Sequence, residues 1–267
     1  MYKGFKLEGI NFRSNSSYFK KGQDLYQANS AQIRKSLDSF FLNDNSLDGA
    51  KIIDSWFPSI KANVFISHSH KDETMAIAFA GWLHENFGIT SFIDSCIWGY
   101  SNDLIRILDN EYSWLNKETN TYNYDKVLDS TSHVHMMLST ALSMMIDKTE
   151  CLIFLDTPNS IKPYGTADKT ESPWIYSEIA FSQIVKITIP KRKLLENELL
   201  EREVFSKRDG GSIEKAIIVK YPIYSNHLTD ITTKTLIDWN ILPKSSNAEA
   251  ALDKLYALAK PKSVLID

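Results

Sequence analysis

Blocks of apolar and polar positions along the chain predict a succession of buried strands and amphipathic helices. The clearest block is Cys151-Leu152-Ile153-Phe154-Leu155, an unbroken apolar run of β-forming residues, the pattern of a strand covered on both faces. Val64-Phe65-Ile66 is a shorter run of the same kind. After the polar turn Ser67-His68-Ser69-His70-Lys71-Asp72 the period becomes helical, with Met75, Phe79 and Trp82 on one side and Gly88 as the terminating residue. Thr90-Ser91-Phe92-Ile93-Asp94 predicts another strand. Strand, helix and strand in this order make a βαβ unit, whose two strands are parallel with a right-handed crossover.

Around this unit the pattern is less regular. Tyr26, Ile33, Leu37 and Phe40 lie on one helical stripe, but residues 1 to about 60 hold too few apolar positions for a core of their own. They read as a helical N-terminal extension packed on a main domain of residues 61–267, with Trp56 and Phe57 as anchors. Residues 95 to about 131 are longer than a crossover needs and rich in aromatics (Trp98, Tyr100, Tyr112, Trp114, Tyr122, Tyr124), and they read as a large loop insertion. The aromatics suit packing of that loop, or stacking on a base. A helix over about 132–147 follows. Toward the C-terminus, Leu194 to Val204 is charged and helix-like, Asp209-Gly210-Gly211 is a turn, Ala216-Ile217-Ile218-Val219 is a strand, and 248–259 is a closing helix. His227 to Trp239 fits no single period.

Chemistry concentrates after the strand at 151–155. A polar loop with Pro163 and Gly165 leads to Glu171-Ser172-Pro173-Trp174, a helix start in which Ser172 caps the free backbone donors and Pro173 takes the first helical position. Trp174, Phe181 and Val185 form an apolar stripe, and Glu178 lies on it, four residues after Trp174. The loop leaves the carboxyl end of a parallel strand, where open α/β sheets bind ligands. Spacing alone reads more simply as a solvated helix glutamate.

Composition narrows the classes. The 267 residues are 43% hydrophobic, enough for a packed core. A net charge of −3 and a pI near 6.1 give no overall attraction to nucleic acid or anionic membrane, leaving Lys191-Arg192-Lys193 as a local basic patch. No apolar run spans a bilayer and the first residues lack a secretory core, so the expected location is cytoplasmic. Cys96 and Cys151 are too few for a disulfide framework or a zinc cage and read as buried free thiols. His133 and His135, two apart on a helix, point to different sides, and with His68 and His70 they give no expected metal site. There is no Gly-x-Gly-x-x-Gly and no Gly-Lys-Ser/Thr loop, which disfavours a Rossmann dehydrogenase or a P-loop NTPase. The Met136, Met137, Met144 and Met145 group reads as core filling.

Taken in order, several stretches resemble the Toll/interleukin receptor (TIR) domain family, specifically its bacterial anti-phage defence members. Asn63-Val64-Phe65-Ile66-Ser67-His68-Ser69-His70-Lys71-Asp72 resembles the family's first strand and turn, Phe92-Ile93-Asp94 the end of its second strand, Cys151 to Leu155 its third, and Ser172-Pro173-Trp174-Ile175-Tyr176-Ser177-Glu178 its Ser-x-Trp-x-x-x-Glu segment. The Arg-Asp-x-x-Pro-Gly box of animal receptor members is absent after Asp94, which argues against a receptor-adaptor role. The resemblance implies a flavodoxin-like α/β fold, a central parallel sheet with helices on both faces. It further implies cleavage of NAD, as substrate and with no other cofactor, at the nicotinamide–ribose bond, giving ADP-ribose or a cyclic ADP-ribose isomer that signals to a downstream effector protein. Glu178 would then be catalytic, with Ser67, His68, Ser69, Asp94, Trp98 and Trp174 as substrate-binding candidates and self-association completing the site. The alternative is a non-catalytic TIR module acting through protein–protein assembly.

Overall fold

The computed structural model describes residues 1–13, 16–30, 40–42, 44, 46–93, 95–164, 167–193 and 219–259. In chain order the elements are β1 (Lys3–Glu8), α1 (Ser17–Ser30), α2 (Gly49–Trp56), β2 (Val64–Ser67), α3 (Glu73–Phe87), β3 (Ser91–Ile93) and α4 (Ser95–Tyr112). The hairpin of β4 (Trp114–Asn116) and β5 (Thr121–Tyr122) follows, then α5 (Tyr124–Lys148), β6 (Cys151–Asp156), β7 (Lys162–Tyr164), β8 (Ala167–Thr170) and α6 (Pro173–Ile184). The last four are β9 (Tyr221–Pro222), β10 (Thr229–Thr232), α7 (Thr233–Ile241) and α8 (Ala248–Leu258).

The apolar runs become a five-stranded sheet of order β10-β1-β6-β2-β3 in which every neighbouring pair is parallel. Because side chains alternate along a strand, each run feeds two cores. Phe5, Leu7, Val64, Ile66, Ile153 and Leu155 meet Phe79 and Leu83 of α3, Leu236 and Trp239 of α7, and Leu252 and Leu255 of α8. Phe65, Leu152 and Phe154 face the other way, onto Trp56 of α2, Leu104 of α4, Leu138 and Leu142 of α5, and Ile175 and Ile179 of α6. The architecture is thus flavodoxin-like, a parallel sheet between two helical layers. Counted from β3, the strands β3, β2 and β6 occupy the first three places of the doubly wound order 2-1-3-4-5. The fourth place belongs to β1 and the fifth to β10.

That placement revises the expected N-terminal extension. Lys3–Glu8 is an inner strand, pairing Phe5 with Ile153 on one side and with Thr229 on the other. Helix α1 lies against α3 so closely that Gly22 and Gly81 leave no room for a side chain: a Cβ on Gly22 would lie 1.9 Å from the Ile77 carbonyl oxygen. Trp56 and Phe57, the expected anchors, are buried.

The segment 95–131 is not an open loop. It comprises α4, the β4–β5 hairpin and the start of α5, whose first turn is capped by Asn123 accepting from the Lys126 N–H. Two of the aromatics pack the hairpin: Trp114 and Tyr122 stack with ring centroids 4.3 Å apart, and the Trp114 indole donates to the Asn110 carbonyl at 2.6 Å. Gly88 ends α3 in the left-handed conformation, φ 65°. Segments 194–204 and 209–211, most of the strand expected at 216–219, and Ile33 and Leu37 of the early stripe lie outside the described residues. Among the described residues no helix is long and apolar enough to cross a membrane.

Candidate functional site

The site is assembled by α6 and the carboxyl ends of β2 and β6. Helix α6 starts where the sequence directs it: the Ser172 side chain accepts from the Ile175 N–H and Pro173 follows at the first position. Its buried face is Ile175, Glu178, Ile179 and Ser182, with Trp174 and Phe181 partly buried beside it. The apolar stripe expected through Trp174 and Val185 is therefore rotated, so that Glu178 lies in the middle of the buried face.

Period two puts Ser67 on the same side of β2 as Phe65, facing the α5–α6 layer, and in register with Phe154 of β6. Ser67 and Glu178 are both fully buried, and the Ser67 hydroxyl donates to Glu178 Oε2 at 2.6 Å. The length lies within the ordinary range for an O–H···O bond. A buried carboxylate is tolerated when such donors compensate for lost water, so this bond fixes the orientation of Glu178.

His68 follows Ser67 and is also fully buried. Burial pushes its proton affinity below the usual value of 6.5, and this outweighs the upward pull of the nearby carboxylates of Glu178, Glu73 and Asp72. The ring is neutral near neutral pH. As pH falls below 6.5, the unfolded chain takes up a proton that the folded chain refuses, so the stability from burying neutral His68 is complete above that value and is lost on acidification. The thermal midpoint is expected to fall between about pH 7 and about pH 5, and His68→Asn to flatten that slope. His84 is shifted the same way, so the comparison is between wild type and variant. Equal slopes in both would remove His68 as the source.

Next to this centre a second polar group joins the turns after β2 and β6. The Asp72 carboxylate accepts from the Thr157 hydroxyl at 2.5 Å and from the Asn159 side-chain amide at 2.7 Å. Neither Thr157 nor Asn159 stood out in the sequence as more than a strand end; the signal available was a Thr-Pro-Asn-Ser turn directly after the most apolar strand.

Of the expected substrate-binding residues, Ser67 bonds Glu178 and His68 lies within electrostatic reach of it, while Ser69 is nearly buried at the start of the short helical turn His70–Asp72. Trp174 is one turn before Glu178 and packs edge-on against His135 of α5, with ring centroids 5.7 Å apart. Asp94 and the Trp98 side chain lie outside the described residues. Two surface cavities, of about 230 and 100 Å³, are lined by other residues, the first by the segment after β1 with α7, the second by α6 with Pro222–Tyr224. Neither touches Glu178, which is itself fully buried.

Other expectations resolve structurally. Arg192 grips Glu150 through two nitrogens at 2.9 and 2.5 Å and binds Asp253 of α8, and Lys193 also reaches Asp253, so this part of the basic segment is a clamp between chain segments. Cys151 is a free, buried thiol in β6, with its proton affinity raised by burial. Among the described residues no group of three or more His, Cys, Asp or Glu side chains could hold a metal ion. No protein-family model, curated protein or solved structure matches the chain.

Proposed function

We propose that the chain is a TIR-type, NAD-consuming enzyme of the bacterial cytoplasm, acting in anti-phage defence, with Glu178 as its reacting carboxylate. What supports this reading is the Ser67–Glu178 hydrogen bond, which joins two separate parts of the family-like pattern at the carboxyl end of β2, beside the point where the strand order reverses.

The chemistry suits one oriented carboxylate. The bond between the pyridinium nitrogen and ribose C1′ breaks with its electron pair going to nitrogen, so nicotinamide leaves neutral and needs no general acid. Positive charge develops on the ribose, as in glycoside hydrolysis, and the Glu178 carboxylate stabilises it. Water attacking C1′ gives ADP-ribose and a proton; attack by a nitrogen of the adenine gives a cyclic ADP-ribose and likewise releases a proton.

The complete burial of Glu178 favours a second reading, a non-catalytic assembly module in which Glu178 and Ser67 tie α6 to the sheet. Incubation of the purified chain with NAD, alone and with a crowding agent that promotes self-association, separates the two. The first reading expects nicotinamide release, with ADP-ribose or a cyclic product; no release under any assembly condition would leave only the second.

A further inference from the structure

We propose that Asp72 is a positioning residue that controls entry to Glu178: its bridge between the turns after β2 and β6 keeps the crevice shut, and breaking it admits a ligand. The proposal rests on the reading of Glu178 as the reacting group.

Three observations carry it. Glu178, Ser67 and His68 are fully buried, so a ligand reaches Glu178 only after neighbouring chain moves. Those turns leave adjacent parallel strands, one toward α3 and the other toward β7 and α6, across the reversal of strand order. Asp72 spans them with two side-chain hydrogen bonds, and it lies within electrostatic reach of His68, as Glu178 does.

The polarity of the bridge makes it breakable by a near-isosteric change. The Thr157 hydroxyl oxygen already accepts from the backbone N–H groups of Asn159 and Ser160, each at 3.2 Å, so its proton is directed to Asp72. The Asn159 amide nitrogen is a donor as well. Two donors need an acceptor with a free oxygen for each, which a carboxylate supplies. Asparagine at position 72 offers one oxygen and one N–H₂ group, and with Asn159 in its present orientation the latter faces a donor.

The test is labelling of the full chain with a carbodiimide and an amine, read at each carboxylate by peptide mass spectrometry. Glu178 is expected to label on the order of tenfold faster in Asp72→Asn than in wild type, the effect of losing one hydrogen bond to a charged group. Thr157→Ser, which keeps the hydroxyl, is expected to match wild type. Glu150, clamped by Arg192 at the opposite end of β6, reports global loss of fold. Unchanged Glu178 labelling in Asp72→Asn, or a rise shared equally by Glu150, overturns the proposal. Nicotinamide release from the same samples, measured with and without the crowding agent, keeps the two claims apart: selective Glu178 labelling without release under either condition supports the entry role and removes the NAD reading. Release with unchanged labelling does the reverse.

Discussion

Glu178→Gln is expected to lower nicotinamide release by about 10²–10³-fold, the usual cost of removing a group that stabilises developing charge in an enclosed site. Glutamine has nearly the same volume, and its amide oxygen still accepts the Ser67 hydroxyl bond, so the packing of α6 against β2 survives. What disappears is the negative charge. The substitution therefore separates the two readings of this residue: a structural tie tolerates it, whereas an electrostatic role on the ribose does not. Chromatographic measurement of nicotinamide, with circular dichroism to confirm the fold, decides between them. A variant that keeps wild-type turnover would show that Glu178 is not the reacting carboxylate.

The largest expected effect on stability comes from Gly81→Val. A Cβ at this position would lie 1.9 Å from the Tyr18 carbonyl oxygen and 2.8 Å from the Gly22 nitrogen, both backbone atoms of α1. No rotamer change relieves such a clash, so α1 must move away from α3, and Tyr18, Phe19 and Tyr26 lose their packing against the core. The cost is about 3 kcal/mol or more, which lowers the thermal midpoint of a domain this size by roughly 6–12 °C. A melt followed by circular dichroism measures it, and an unchanged midpoint would mean that α1 and α3 do not meet in solution. Gly88→Ala is the useful comparison: it strains a left-handed residue with φ 65° but meets nothing within 4 Å.

How much of this was legible in the sequence depended on the length of each signal. Cys151–Leu155 and Val64–Ile66 declared themselves because strands buried on both faces are unbroken apolar runs, and α3 and α6 because Gly88, Ser172 and Pro173 are physical start and stop signals. β1 was hidden. It alternates Phe5 and Leu7 with Lys6 and Glu8, as a half-exposed strand would, because Lys6 pairs within the sheet with Glu8, Asp156 and Asp230 at 2.8, 3.3 and 3.8 Å. An ion-pair network in an inner strand imitates solvent exposure. The long α4 and the first turns of α5 read as a loop because their surface aromatics and polar residues blur the helical period, whereas the rest of α5 is legible as the helix over about 132–147. At the site, sequence spacing placed Glu178 on a helix near the rim; its true depth depended on the rotation of α6, which a stripe of large residues on both flanks does not fix. The Asp72 bridge could not be read at all, since it joins residues far apart in the chain through turn geometry.

The inner position of β1 also sets an order of events during synthesis. Lys3–Glu8 leaves the ribosome before either of its neighbours, yet its hydrogen bonds wait for β6 and then for β10. Parallel pairings between such distant segments are slow to form, because loop closure precedes the contacts that compensate for it. Until then Phe5 and Leu7 have no core to enter and both edges of the strand are open. The nascent chain thus carries an unpaired β-segment until β6 has been made, and cellular yield will depend on what shields that segment in the meantime.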